Sequence, residues 1–260
     1  MKTIQEKSVG EALVRLLDNG AGYTGAVFLN GVLKDRIDGQ DPDEVFEAAV
    51  AASLRSAGGY VGYDGAIRRF LGIFPMGFGD PGYAVQERDY KLTVAERLNA
   101  GASLEACANA SDAECAAAAS AFSTNMLSRF ENARARECLK GATGADYLRG
   151  AAAFARGEFA PGLKTMSQAL KPYGNASWPL MTFLPYLWRP EEIMFLKPEA
   201  TLKFAQSVGD AFPQHYRAGA DLDTYQALER LADSAMQKIA ELQPRDRIDV
   251  QSFIWVVGNY

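Results

Sequence analysis

Histidine and cysteine are scarce in this chain of 260 residues. The one histidine, His215, rules out a helix with two zinc-binding histidines, an HNH nuclease, and any site built from several histidines of one chain. A Ser-His-Asp triad would need His215, and no Gly-x-Ser-x-Gly accompanies it. We therefore expect an exposed or helix-capping histidine. Three cysteines without a C-x-x-C pair predict free thiols, with neither a disulfide framework nor a structural zinc site.

The chain also lacks an excess of positive charge and any long apolar run. Lys and Arg number 27 against 32 Asp and Glu, for a net charge of -5. Nucleic-acid binding depends on neutralising phosphates, so this balance disfavours it except through a local basic patch. No stretch reaches the roughly 18 apolar residues that a membrane span needs, and the first residues do not form a secretory signal. We expect a cytoplasmic protein without membrane contact.

A glycine pattern, G-x-G-x-x-G, occurs at Gly77, Gly79 and Gly82. In a dinucleotide-binding loop this pattern follows a strand and opens a helix. Here a helix-like segment precedes it, Asp80 would repel phosphate, and Pro81 removes a backbone donor. The better prediction is a turn, with Asp80 as the N-cap of a helix and Pro81 at its first position. A second match, in "NGAGYTG", has the reverse order of elements.

Helix signals dominate the rest of the chain. Ser8 with Glu11 and Ser111 with Glu114 have the spacing of capping boxes, and Asp41 precedes a proline at a first helical position. Apolar residues at helical spacing follow each of them. Helices are predicted over residues 8–20, 41–59, 111–138, 143–157, 160–174, 197–209 and 221–244.

Strand signals are few. Asn30-Gly31 between two apolar runs predicts a hairpin near residues 24–37. The apolar run near the C-terminus, "DRIDVQSFIWVV", is compatible with a strand or with a buried helix. The predicted fold is mainly α, an irregular helical bundle with a minor β-hairpin near the N-terminus. Residues 1–60 form a small α+β lead-in, and residues 61–260 a helical body that can be continuous with it.

The motif "ERDYK" contains Glu87, Asp89 and Lys91. Asp-x-Lys with a distant carboxylate, here Asp64 or Asp249, is typical of nucleases that use a divalent metal ion. Such motifs usually lie on a strand, whereas these surroundings indicate a helix. On a helix, Glu87 and Lys91 form an i, i+4 ion pair in the favourable order, which is the preferred interpretation.

Aromatic residues are densest between residues 178 and 197, where Trp178, Tyr186 and Trp188 alternate with prolines, close to Arg189 and Lys197. This composition suits a core corner, in which each proline begins or ends a short helix. It also suits a ligand site, because aromatic rings beside basic residues can stack a base or a nucleotide. We favour the core and keep the ligand site as the alternative.

Asp249 and Gln251 lie inside the C-terminal apolar run. Buried polar side chains need partners, so the two either secure helix ends or hydrogen-bond a ligand, and the structural role is favoured.

The blocks "FPMGFGDPGY", "ERDYK", "WPLMTFLPYL", "MFLKPEAT" and "RDRIDVQSFIWVV" resemble those of an uncharacterised family of bacterial proteins over about residues 60–260. The resemblance implies a bacterial-type intracellular protein and brings no activity, substrate or catalytic residue.

Two hypotheses about function follow. The first is a non-catalytic binding protein without a cofactor, whose partner is a protein or a nucleic acid. Its ligand surface would comprise Trp178, Tyr186, Trp188, Arg189, Lys197, Asp249 and Gln251. The alternative is a metal-dependent phosphodiester hydrolase that uses the acidic residues near positions 87–91.

Overall fold

The fold is mainly α, with a small antiparallel sheet at the N-terminus, as predicted. The structure, a computed structural model, describes residues 2–9, 12–29, 31–56 and 60–259. The strands are β1 (Lys2–Val9), β2 (Ala12–Asp18), β3 (Tyr23–Leu29) and β4 (Val32–Gly39). The helices are α1 (Pro42–Ser56), α2 (Gly62–Ile73), α3 (Pro81–Tyr83), α4 (Asp89–Gly101), α5 (Leu104–Cys107), α6 (Asp112–Ala118), α7 (Arg129–Lys140), α8 (Gly144–Ala155), α9 (Phe159–Leu170), α10 (Trp178–Trp188), α11 (Pro198–Val208), α12 (Phe212–His215), α13 (Leu222–Lys238) and α14 (Arg247–Asn259).

The sheet is a meander in the order β1-β2-β3-β4, with each strand antiparallel to the next. In β2 the alternate residues Ala12, Val14 and Leu16 are buried, which is the two-residue period of a strand. They belong to a compact core that also includes Val45 and Ala49 of α1. One face of the sheet is therefore covered by the helix that follows it.

The helix predicted over residues 8–20 is wrong. Ser8 pairs with Leu13 between β1 and β2, and the segment continues in β2 as far as Asp18. Glu11, the second residue of the predicted capping box, lies outside the described residues. Leu13 and Leu17 fit a helical period, but pairing with β1 and β3 satisfies the backbone instead. Here tertiary pairing outweighs local helix propensity.

The other N-terminal predictions are confirmed. β3 and β4 form the expected hairpin, and Gly31 between them has a φ of 77°, which favours glycine. Asn30 lies outside the described residues. Asp41 is the N-cap of α1, because its Oδ1 accepts hydrogen bonds from the backbone N–H groups of Asp43 and Glu44. The predicted terminator of this helix, Gly58, also lies outside the described residues.

Two apolar clusters contain most of the buried hydrophobic residues that the structure describes. The smaller one joins the sheet to α1, and the larger one runs from α2 to α14. The units meet where α1 contacts α11 and where His215 Nε2 approaches Glu47 Oε1 at 3.6 Å. His215 is half-buried at the end of α12, beside a cavity of about 310 Å³ that Lys7 of β1 and Phe46 of α1 also line.

The helix predicted over residues 111–138 is interrupted. It begins as expected, with the capping box of Ser111 and Glu114. However, α6 ends at Ala118, and a second capping box, Ser128 with Glu131, opens α7. The spacing of Phe122, Met126 and Phe130 predicts one buried helix face, but Phe130 is 67% exposed. The sequence "SRFE" carries the missed signal, because it has the same Ser-x-x-Glu spacing as "SDAE".

The glycine pattern at residues 77–82 forms the predicted turn. Gly77 has a φ of 62°, and Asp80 Oδ1 accepts a hydrogen bond from the N–H of Gly82 at the start of α3. The segments predicted as helices over residues 143–157, 160–174, 197–209 and 221–244 correspond to α8, α9, α11 and α13. The C-terminal run is the helix α14 rather than a strand. None of the helices in the described ranges combines the length and the apolar character that crossing a membrane requires.

Two glycines allow α8 and α9 to pack closely. A Cβ atom on Gly162 would lie 2.7 Å from the Cβ of Phe154 and 2.8 Å from the carbonyl oxygen of Gly150. We therefore expect Gly162→Ala to lower the free energy of unfolding by about 1–3 kcal/mol through overpacking, despite the higher helix propensity of alanine. Urea unfolding measures this. In the control, Gly72→Ala, the added Cβ meets no atom within 4 Å, and we expect a gain of about 0.5–1 kcal/mol. Equal effects at the two positions would contradict the packing explanation.

Candidate functional site

The helical body contains a cavity of about 400 Å³ that is lined by charged, polar and aromatic side chains. It lies where the start of α4, the segment before α7, the segment before α11 and the last helix α14 meet. We call it the Lys197 pocket, and it is lined by Val85, Gln86, Tyr90, Lys91, Asn125, Met126, Phe195, Lys197, Gln251 and Trp255. Its mouth is open to solvent, because Val85, Gln86 and Asn125 are exposed.

Lys91 lies at the base of the pocket and is almost fully buried. Its Nζ donates hydrogen bonds to Gln251 Oε1 at 2.8 Å, to Ser252 Oγ at 2.7 Å and to Glu87 Oε2 at 3.3 Å. Burial lowers the pKa of Lys91 to about 8, although Glu87 opposes this shift. Burial also raises the pKa of Glu87, and Lys91 counteracts it. The predicted i, i+4 ion pair is therefore present, in the protein interior rather than on the surface.

The three hydrogen bonds of Lys91 fix its protonation state and the orientation of Gln251. Ser252 Oγ gives its own proton to the carbonyl oxygen of Ile248, so it accepts from Lys91. Lys91 thus donates all three protons of an ammonium group. An ammonium group cannot accept a hydrogen bond, so the amide oxygen of Gln251 must face Lys91. The amide nitrogen of Gln251, Nε2, therefore points away from Lys91. Gln251 Nε2 donates no hydrogen bond to any residue that the structure describes.

Lys197 differs from Lys91, because its charge is not paired. Its Nζ lies 4.0 Å from the centroid of the Trp255 ring. Within the described parts of the chain, no carboxylate is near enough to form an ion pair with it. Burial lowers the pKa of Lys197, while the charges of Glu131 and Glu87 oppose the shift. A half-buried cation over an aromatic ring, at the wall of a cavity, is a suitable receptor for an anion.

A second polar cluster lies beside the pocket and surrounds Asp249, whose side chain is fully buried. The carboxylate of Asp249 accepts from Tyr83 Oη at 2.5 Å, from Arg88 Nη1 at 2.8 Å and from Arg245 Nε at 2.8 Å. Arg88 also pairs with Asp246 at 2.6 Å. Burial alone would raise the pKa of Asp249, but the hydrogen bonds from Arg245 and Tyr83 outweigh it and lower that pKa. Each charged group of this cluster therefore has a partner within it.

A π-helical turn, Ala84–Arg88, supplies one residue to each of the two polar clusters, Glu87 to the Lys91 cluster and Arg88 to the Asp249 cluster. The N–H of Asp89 donates to the carbonyl oxygen of Ala84, five residues earlier, which widens the turn by one residue. As a result the consecutive residues Glu87 and Arg88 both face inward, Glu87 toward Lys91 and Arg88 toward α14. Turns of this kind occur frequently at functional sites.

The aromatic residues selected from the sequence lie in the core. Trp178 and Tyr186 are fully buried, and Trp188 is 7% exposed. The indole N–H groups of Trp178 and Trp188 donate to the carbonyl oxygens of Arg217 and Ala102. These three side chains pack in the main apolar cluster and do not line the Lys197 pocket.

The remaining selected residues lie in three places. Arg189 pairs with its neighbour Glu192 outside the pocket, and Asp249 lies in the buried arginine cluster beside it. Lys197 and Gln251 line the pocket together with Lys91. The structure thus brings together one residue from each of three selected stretches: residues 87–91, residues 178–197 and the C-terminal apolar run.

The residues of the hydrolase hypothesis are not arranged around a common point. Glu87 is bonded to Lys91, Asp89 is exposed, and Asp249 is held by two arginines. Asp64 is exposed near the start of α2. In the described ranges, no three His, Cys, Asp or Glu side chains are grouped so that they could hold a metal ion. The hydrolase therefore stays a prediction from the sequence.

Seven of the ten lining residues were not selected from the sequence, among them Tyr90, Asn125 and Trp255. Trp255 follows Gln251 by four residues, so helical spacing would have placed both on one face once α14 was taken as a helix. Asn125 precedes a helix whose start was not predicted. Comparison of the chain with protein-family models, with curated proteins and with solved structures finds no match. Its function is therefore inferred from its own residues.

Proposed function

We propose that this is a non-catalytic binding protein, that its ligand carries a negative charge, and that the ligand occupies the Lys197 pocket. The observation that supports this most strongly is the unpaired ammonium group of Lys197 at the pocket wall. A half-buried charge without a counter-charge costs free energy, and an anion would remove that cost.

The shape and the walls of the pocket favour a small molecule. Its volume of about 400 Å³ lies within the range of about 300–1,000 Å³ that is typical of small-molecule sites. The walls combine the aromatic rings of Tyr90, Phe195 and Trp255 with a few polar groups, which is the usual composition of such sites. Lys197 belongs both to this pocket and to the ligand surface expected over residues 178–197.

The first test is binding of phenylacetate, a simple aromatic anion, measured by isothermal titration calorimetry. We expect Lys197→Gln to weaken binding at least about tenfold, since a desolvated charge-assisted hydrogen bond contributes about 1.5–3 kcal/mol. The fold should persist, because only one cation–π contact is lost.

The matched control is Lys203→Gln on α11, where the lysine is exposed and pairs with Glu199. It should leave phenylacetate binding unchanged. Equal affinity of wild type and Lys197→Gln would contradict the proposed site. Binding of short oligonucleotides with a strong salt dependence, and with no competition from phenylacetate, would instead indicate a nucleic-acid surface elsewhere on the chain.

A further inference from the structure

The charges around the pocket leave one positive charge uncompensated. Lys91 and Glu87 form an ion pair at 3.3 Å, so together they add no net charge. Lys197 is the remaining cation, and Glu131, whose charge acts on it, is half-buried on α7, where its carboxylate accepts hydrogen bonds from Ser177 Oγ and from the N–H of Ser128 rather than from Lys197. Because all three protons of Lys91 are already donated, a ligand with two negative charges would find no second free ammonium group.

Two polar groups of the pocket wall are donors: Lys197 Nζ, and Gln251 Nε2, since Lys91 occupies the amide oxygen of Gln251. Gln86, Tyr90 and Asn125 also line the pocket and add further polar groups. Lys91 is thus a positioning residue, because it prevents the Gln251 amide from turning its oxygen toward the cavity. Two fixed donors on the pocket wall suit an acceptor group such as a carboxylate, and they disfavour a ligand that itself donates.

The apolar part of the pocket suits a flat ring. Trp255 and Gln251 lie four residues apart on α14, so the ring and the amide donor share one helix face. Phe195 and Met126 add apolar wall on the side of α10 and α7. A ring on this wall would bring its substituent close to both donors.

From these observations we infer that the ligand is a planar ring compound with a single negative charge, whose acceptor group lies between Lys197 Nζ and Gln251 Nε2. This inference rests on the proposed function and narrows it in two respects. It specifies one negative charge rather than two, and it gives Gln251 the role of selecting an acceptor.

The charge is tested with three probes that share one ring: phenylacetate, phenyl phosphate and phenylacetamide. Near neutral pH an aryl phosphate carries close to two negative charges, as phosphorylated side chains do. We expect phenylacetate to bind at least about tenfold more tightly than either of the other probes in calorimetric titrations. Tightest binding by phenyl phosphate would overturn the single-charge inference and leave the proposed function intact. Equal binding of phenylacetamide and phenylacetate would overturn both.

The role of Gln251 is tested with Gln251→Glu. Glutamate keeps an oxygen for Lys91 to donate to, so the buried network can persist, but it replaces the free amide N–H group by a second oxygen. We expect this variant to lose phenylacetate binding by at least about tenfold while its unfolding midpoint in urea changes little. The control is Gln206→Glu on the exposed side of α11, which should bind as the wild type does.

The results for the two variants distinguish the anion site at Lys197 from the role of Gln251. If Lys197→Gln abolishes phenylacetate binding and Gln251→Glu does not, the anion site stands and the role of Gln251 is wrong. If neither variant changes binding, the Lys197 pocket is not the site. Protein-detected NMR gives an independent readout, because a bound ring should shift the indole N–H resonance of Trp255, assigned through Trp255→Phe.

Discussion

Asp249→Asn is expected to lower the free energy of unfolding by about 3–5 kcal/mol, the usual cost of breaking a buried ion pair. The carboxylate of Asp249 has no solvent exposure. Its hydrogen-bond partners Tyr83, Arg88 and Arg245 all act as donors, so each of them needs an acceptor at this position. An asparagine amide would turn an N–H group toward at least one of these donors. It would also remove the counter-charge of Arg245 and one of the two counter-charges of Arg88, which keeps Asp246. Both effects destabilise the folded state.

Urea unfolding followed by circular dichroism measures this difference. The control is Asp146→Asn, because Asp146 pairs with Arg149 at 2.7 Å and about half of its side chain is exposed. Such surface pairs contribute about 0–1 kcal/mol, so the control should unfold almost as the wild type does. A loss at Asp249 no larger than at Asp146 would show that the arginine cluster contributes little to stability.

The contribution of Asp249 to the free energy of unfolding should also depend on pH and should decrease in acid. Its pKa in the folded protein is lowered, so the folded state favours the charged form relative to the unfolded state. This stabilisation is fully present above the unfolded pKa of about 3.9 and is lost as the pH falls through the folded pKa. The difference in stability between wild type and Asp249→Asn should therefore shrink progressively in acid below about pH 4.

Trp188→Ala is expected to destabilise the protein by about 3–5 kcal/mol and to leave phenylacetate binding unchanged in the folded fraction. The Trp188 side chain is 7% exposed and lies in the main apolar cluster, outside the Lys197 pocket. Its loss would leave a large cavity and an unpaired carbonyl oxygen at Ala102. Urea unfolding and calorimetric titration of the same samples give the two quantities.

Trp188→Phe separates the two parts of this effect. Phenylalanine keeps much of the apolar volume and removes the N–H donor, so a smaller loss of about 1–3 kcal/mol is expected. If Trp188→Ala weakened phenylacetate binding and left stability unchanged, Trp188 would belong to the ligand site and not to the core.

Local signals predicted most of the helical body but not the N-terminal sheet. Ser111 and Asp41 are caps whose effect is confined to the first turn, so their positions could be predicted from neighbouring residues alone. Leu13 and Leu17 fit a helix or a strand equally well. The decision between the two comes from pairing with β1 and β3 and from α1, which lies about 30 residues further along. Pairing partners of this kind are not visible in a short window of sequence.

The site could be predicted in its residues but not in its arrangement. Lys91, Lys197 and Gln251 were selected separately, for their charge or for their place in apolar surroundings. Their convergence depends on contacts between residues 160 apart, such as that between Lys91 and Gln251. Trp178 and Tyr186 were selected because aromatic residues are dense around them, but they lie in the core. Composition alone does not distinguish a packed corner from a pocket wall.

The arrangement of side chains around the π-helical turn Ala84–Arg88 depends on the number of residues in that turn. Deleting one residue there would restore a regular helix and rotate everything before it by about 100° relative to α4. Tyr83 and Arg88 could then no longer meet the same carboxylate. A single substitution in this turn leaves the extra residue in place and removes only the contacts of its own side chain, whereas a one-residue deletion should disturb the Lys91 and Asp249 clusters together.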